Sequence, residues 1–135
     1  MDSPKQIVET MMSKDAFSQW LGVKVLHVEK GQCTLSMTIR KDMVNGFGIA
    51  HGGIAYSLAD SALAFASNSH GRKSLSIETS ISHTVPLKTD DEVLAVADED
   101  SLTNKIGIYR VVVSKVDGPV VALFKGTVYR TRDEW

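Results

Sequence analysis

The segment Gly52-Gly53-Ile54-Ala55-Tyr56-Ser57-Leu58-Ala59-Asp60-Ser61-Ala62-Leu63-Ala64-Phe65-Ala66-Ser67-Asn68-Ser69 holds no proline, few β-branched residues and many alanines. That composition predicts one helix over 53–69, about four to five turns long, with Gly71 as its stop. At about 100° per residue, Ile54, Ala55, Leu58, Ala62, Phe65 and Ala66 share one face, and Ser57, Asp60, Ser61, Ala64, Ser67 and Asn68 share the other. Asp60 is the one charge between Gly52 and Asn68.

On both sides of this helix the apolar period drops to two. Downstream, strands are predicted over 75–85, 92–101, 105–116 and 120–130, with Asp117-Gly118 marking a hairpin turn. Upstream, 23–29 and 32–40 form a hairpin around Lys30-Gly31, with Cys33, Leu35, Met37 and Ile39 facing the core. Residues 43–48 read as a glycine-bearing loop. Earlier still, Ser3, Pro4 and Gln6 make a helix start, Ile7, Val8, Met11 and Met12 share a face, and a second short helix carries Ala16, Phe17, Trp20 and Leu21 up to Gly22. Runs of strands beside one long helix predict an α+β fold, in which the helix covers an antiparallel sheet of about six strands. A single domain over 1–135 is expected, with an N-terminal helical segment at about 4–21.

Fifteen Lys and Arg against sixteen Asp and Glu leave a net charge of -1, which speaks against a nucleic-acid-binding surface. Cys33 is the only cysteine, so an intrachain disulfide framework and multi-cysteine zinc sites are excluded. The opening MDSPKQIVET lacks the pattern of a secretory signal, and the longest charge-free stretch, 43–59, lacks the roughly 20 apolar residues of a membrane span. A cytoplasmic protein with no membrane partner is expected.

Two features call for a chemical reason. The face around Asp60 carries Ser and Ala where a solvated face carries Lys, Glu and Arg, which is the composition of a face closely approached by another backbone, and a subunit interface is expected there. A carboxylate confined in it is partly desolvated, and so a candidate base or nucleophile. Just ahead of the helix stands His51-Gly52-Gly53, where unpaired N–H groups and the dipole's positive end meet glycines that let a ligand approach. Such a terminus can polarise an acyl carbonyl, with Asp60 activating water or attacking directly. A loop-to-helix turn capped by His51 is the simpler alternative.

The stretch Asn45-Gly46-Phe47-Gly48-Ile49-Ala50-His51-Gly52-Gly53, continued by Ser57 to Ala62 and Ala66-Ser67-Asn68-Ser69, resembles the hot-dog-fold acyl-coenzyme A thioesterases of the phenylacetic-acid-degradation (PaaI) type. The resemblance implies a long helix wrapped by the sheet, dimers joined sheet edge to sheet edge, and dimers of dimers. It implies Asp60 as the catalytic carboxylate, with the Gly52 N–H and the Asn45 side chain polarising the carbonyl from the other subunit and His51 orienting the loop. A serine or threonine in the strand after the helix would hold the attacking water. Ser76, ten residues before Pro86, takes that role, with Glu78 and Ser80 on the same face at period two as rivals. Gly53 and Asn68, inside the matching stretch, are expected to bind substrate, and Arg72, Lys73, Lys105 and Arg110 are candidates for the coenzyme A phosphates.

His27, His70 and His83 sit apart with no cysteine cluster, so no metal is expected. Nor is a cofactor, coenzyme A being part of the substrate. Cys33 reads as a buried inert thiol and Asp98-Glu99-Asp100 as a solvated strand end. Two other functions stand beside hydrolysis: a hot-dog hydratase or dehydratase of acyl thioesters, and a non-catalytic acyl-coenzyme A binding module. Aryl-acetyl or hydroxylated aryl groups are implied by the resemblance, and aliphatic chains stay open.

Overall fold

Local chemistry starts each element of the computed structural model, which describes residues 2–135. Helix α1 (Pro4–Lys14) opens with a reciprocal capping box, in which the Gln6 N–H donates to Ser3 Oγ at 3.2 Å and the Ser3 N–H to Gln6 Oε1 at 2.8 Å. Helix α2 (Ala16–Leu21) is capped by Asp15 and stopped by Gly22, whose φ of 78° is left-handed. The hairpin β1 (Lys24–Glu29) and β2 (Gln32–Thr38) follows, then a 3-10 turn at Lys41–Met43 and the long helix α3 (Gly52–Asn68). Four strands complete the chain: β3 (Arg72–His83), β4 (Glu92–Leu102), β5 (Ile106–Lys115) and β6 (Val120–Glu134).

The strands form one six-stranded antiparallel sheet in the order β1-β2-β4-β5-β6-β3. Its inner face presents Leu35 and Met37 from β2, Val93 and Ala95 from β4, Tyr109 and Val111 from β5, and Phe124 and Val128 from β6, all buried. Against them α3 lays Leu58, Ala62, Phe65 and Ala66, none with measurable exposure. The alanines let the sheet wrap closely. At Gly126 the approach is closest, since a Cβ there would stand 2.4 Å from Leu63 Cδ2.

Strands β3 and β6 run past their expected ends at 75 and 130, pairing Arg72 with Glu134. Beyond the end of α3 the ladder has no core face to fill, and the apolar alternation disappears there although the hydrogen bonding continues. Glu99 is also more than a solvated strand end. Its Oε1 accepts from the buried Tyr109 hydroxyl at 2.7 Å and lies 2.6 Å from His70 Nε2, tying the exit of α3 to β4 and β5.

Candidate active site

Gly52, Tyr56 and Asp60 are spaced by four along α3, so they share one stripe of the helix. That stripe runs antiparallel to the inward residues of β3. The His83 ring lies against Gly52, where a Cβ would be 3.2 Å from Nε2. The Tyr56 and Thr79 hydroxyls are 2.7 Å apart, and Asp60 and Ser76 line one cavity of about 350 Å³. A β-bulge at Ile77 makes this alignment: Ser76 pairs with Val128 and Glu78 with Thr127, so Ile77 is the extra residue. Directly opposed residues of an antiparallel pair point to the same face, and Val128 and Phe124 are buried. Ser76, Thr79, Ile81 and His83 therefore face α3, while Glu78 and Ser80 face outward.

This corrects the period-two expectation that Ser76, Glu78 and Ser80 share a face. Glu78 is exposed, 3.9 Å from Lys125 Nζ. No residue-counting rule reveals a bulge, which is why His83 and Thr79 escaped the reading of the sequence. The four-residue spacing of Gly52, Tyr56 and Asp60 was the signal available for Tyr56.

The Asn45 loop is stapled by its own side chain. Asn45 Oδ1 accepts from the Phe47 N–H at 2.9 Å and the Ile49 N–H at 3.2 Å, which pins the carboxamide oxygen and turns the Nδ2 donor outward with no partner among the described residues. The loop rejoins the body where the His51 N–H donates to the Met43 carbonyl at 3.0 Å. His51 is the N-cap residue of α3, yet its imidazole makes no capping hydrogen bond. The simpler alternative, a side-chain cap by His51, is thus absent, and the tie runs through the His51 main chain. Gly52 and the exposed Gly53 form the first turn, and Gly52 opens on a second cavity of about 330 Å³ lined by His51, His83 and Pro86.

Asp60 and Gly52 therefore serve separate cavities in one chain. Eight residues at 1.5 Å rise set them about 12 Å apart along the helix axis, too far for both to address one carbonyl. The Asp60 carboxyl is held above the ordinary carboxylate range, first by burial and then by the charge of Asp15 at the start of α2. The rest of its helical face is less open than expected. Ser61 is buried under α2, with its hydroxyl 2.7 Å from that of Ser18, and Ser67 and Asn68 are also buried. Ser61 is covered by α2, and Asn68 by Ser74 of β3 and by Trp135, which a helical wheel drawn on α3 alone could not display.

The expected substrate-binding residues separate in the fold. Asn68 borders the Asp60 cavity, but its amide is engaged within the chain, donating to the Ala64 and Ser74 carbonyls and accepting from the Ser74 N–H and the Trp135 indole N–H. Arg72 is turned away onto Asn104. Arg110 lies on the outer sheet face in an ion pair with Asp100 at 2.9 Å, remote from both cavities. Lys73 alone of these cations borders the Asp60 cavity. Burial pushes the Cys33 thiol up to about 12, far from a nucleophilic thiolate. Among the described residues no cluster of His, Cys, Asp and Glu is arranged to hold a metal, and no helix is long and apolar enough to cross a membrane.

Residues 47–122 match the family model described as the thioesterase superfamily. A putative esterase of Archaeoglobus fulgidus is 34% identical over 97% of this chain and 85% of its own length. The acyl-coenzyme A thioesterase PaaI of Escherichia coli is 30% identical over 93% of this chain and 89% of its own. Its structure superposes with a TM-score of 0.95 over 97% of this chain and 95% of that one, at 29% identity. A single-substitution variant of the phenylacetic acid degradation protein PaaI from Thermus thermophilus is 40% identical, with a TM-score of 0.83 over 87% of this chain and all of that one. By sequence and by architecture the chain belongs to the thioesterase superfamily, as a thioester hydrolase of the PaaI type with the hot-dog fold.

Proposed function

We propose that the protein hydrolyses aryl-acetyl or related hydroxyaryl coenzyme A thioesters, at sites shared between two copies of the chain. The observation that carries the shared site is the separation of its two halves: a desolvated carboxylate at Asp60, and the Gly52 N–H about 12 Å away at the start of the same helix, with the Asn45 Nδ2 donor on the loop that leads into it. One copy supplies the donors that polarise the thioester carbonyl, and the other supplies Asp60. In the general-base route Asp60 takes a proton from water as the new C–O bond forms; the C–S bond breaks, and the proton passes to the coenzyme A sulfur. In the covalent route Asp60 itself attacks the carbonyl carbon, the C–S bond breaks and coenzyme A leaves as its thiolate. Water then cleaves the mixed anhydride to the free acid and Asp60, and the second proton of that water goes to the thiolate. Ser76, which lines the Asp60 cavity, holds the water. The relatives named for acyl-coenzyme A thioesterase activity and phenylacetic acid degradation support the substrate class.

The edge strand β3 supports a specific pairing of the two copies. Its free edge carries Leu75 and Ile77, 65% and 59% exposed, and an unprotected edge of this length invites a further strand. Omitting the bulged Ile77, the residue midway along the ladder between Ser76 and His83 is Ser80. An antiparallel β3–β3 pair with its two-fold axis at Ser80 sets Ser76 of one copy opposite His83 of the other. The Asp60 cavity then faces the Gly52 terminus.

The test is thiol release from phenylacetyl-coenzyme A by two variants, separately and after refolding together. Asp60→Asn removes the carboxylate, and Asn45→Asp removes the Nδ2 donor while keeping the stapling oxygen. Each is expected to be inactive by itself. Random pairing makes half the dimers mixed, each with one intact site, so about a quarter of the wild-type sites return. No recovery in verified mixed dimers would place both groups in one chain's site and overturn the shared-site reading. A wild type that binds acyl-coenzyme A without turnover would overturn hydrolysis.

A further inference from the structure

The cavity that opens at Asp60 ends on a residue the proposed reaction does not use. Trp135 lies beyond the last residue of β6 and folds back over the space between α3 and β3. Its backbone N–H donates to the Gly71 carbonyl at 2.9 Å, and its indole Nε1–H donates to Asn68 Oδ1 at 2.9 Å. Lys73 Nζ stands 5.1 Å from the ring centroid, within range of a cation–π contact. Ring position and tilt are thus set by contacts to the exit of α3 and the start of β3. A residue tied at so many points is ordered.

These ties locate the indole relative to the chemistry. Asn68 is eight residues beyond Asp60, about 12 Å along the same helix. Asp60, Leu63, Ala64 and Asn68 follow one another along the α3 wall of this cavity, Ser76 and Val128 also line it, and Trp135 lines it where its indole meets Asn68. Because Asn68 takes up the indole N–H, the ring offers the cavity an apolar surface with no donor left to satisfy.

We propose that Trp135 is the end wall of the acyl pocket and the residue that determines acyl specificity, with Asn68 as its positioning residue. This rests on the reading of the Asp60 cavity as the acyl site. An acyl group whose carbonyl sits at Asp60 points its tail along α3 toward the indole. A flat aryl-acetyl group fits before the wall and meets an aromatic surface, which favours offset or edge-to-face contact. A long saturated chain runs into the ring and is rejected by steric overlap.

The experiment compares wild type, Trp135→Phe and Trp135→Ala on phenylacetyl-coenzyme A and dodecanoyl-coenzyme A. In Trp135→Ala the ratio of kcat/KM for dodecanoyl over phenylacetyl substrate is expected to rise at least about 10-fold, the scale of a few methylenes in an apolar pocket. Trp135→Phe keeps an aromatic wall and is expected to stay closer to wild type. An equal loss on both substrates, or a ratio unchanged within about twofold, would overturn the end wall, because a merely structural role moves both substrates together. A second readout separates this from the reading it rests on. In a Trp20→Phe background Trp135 is the sole tryptophan, and phenylacetyl-coenzyme A is expected to shift its emission even if no thioester is cleaved. Turnover without any shift refutes the wall and leaves hydrolysis standing; a shift without turnover refutes hydrolysis and keeps the wall.

Discussion

A carboxylate half-buried beside the Asp15 charge works against its own preference for water, and Asp60 is held that way on α3. With its ionisation raised in the folded state, the native protein binds this proton more tightly than the unfolded chain does. The stabilisation is complete below the unfolded carboxylate value and fades as pH rises through the raised one. Asp60→Asn, which cannot ionise, is therefore expected to melt at a higher temperature than wild type at pH 7, with the difference vanishing below about pH 4, the ordinary Asp value. The same variant is expected to lose at least about 100-fold in kcat, the scale of a lost general base. Equal melting curves at pH 7 would refute the desolvation of Asp60. Ser76 and Glu78 provide the matching contrast: Ser76→Ala is expected to lower kcat about 10-fold through a lost water contact worth ~1.4 kcal/mol, and Glu78→Gln to leave it unchanged. The reverse order would mean that β3 carries no bulge at Ile77. Asp60 and the His51-Gly52-Gly53 helix start stood out in the sequence as candidates, since a lone charge in an alanine-rich helix and glycines at its first turn are local signals, and Asn45 entered through the resemblance. Which of Ser76 and Glu78 faces α3 was not legible there, because the bulge that decides it is a property of the β3–β6 ladder.

The long helix and its sheet fit through size. Gly126 lets Leu63 sit in the inner face of β6, and its backbone is not left-handed, so a Cβ there meets crowding alone. Gly126→Ala is expected to cost about 1–3 kcal/mol by overpacking, read as a lower denaturant midpoint with an unchanged m-value. A neutral result would place free space beside Leu63. Helix α3 was legible from its alanines, and β2 from the alternation of Cys33, Leu35, Met37 and Ile39, since each buries one face and leaves the other polar. Strand β3 was legible as a strand but not in its facing, because an edge strand with Leu75 and Ile77 outward carries apolar residues on both sides. The polar tail of β6 hid its extension to Glu134 for the complementary reason: it pairs through its backbone with no core to meet.

For the molecule as a whole, the exposed edge of β3 and the 89% exposed Phe47 in the Asn45 loop are both unfinished in a single chain. The two-fold at Ser80 gives a direct check. Ser80→Cys sets two thiols at directly opposed ladder positions, where Cα atoms about 4.5–5.5 Å apart permit a disulfide. Oxidation is expected to convert this variant to a covalent dimer on non-reducing gels, while wild type, whose one Cys33 is buried, stays monomeric there. A dimer in solution that resists cross-linking at Ser80 would move the axis along β3.

Periodicity and glycine placement were enough to reach the α+β architecture, the isolated charge at Asp60 and the His51-Gly52-Gly53 helix start were enough to single out a candidate site, and the resemblance carried by the stretch from Asn45 to Ser69 was enough to reach the family, because each is written locally along the chain. What a local pattern cannot carry is the meeting of distant segments. The alignment of Gly52, Tyr56 and Asp60 with His83, Thr79 and Ser76, the cover of α2 over Ser61, the engagement of Asn68 and the return of Trp135 to the Asp60 cavity all depend on strand register and on which surfaces close over which. Those arise when the sheet curls around α3 and every buried polar group must find its partner.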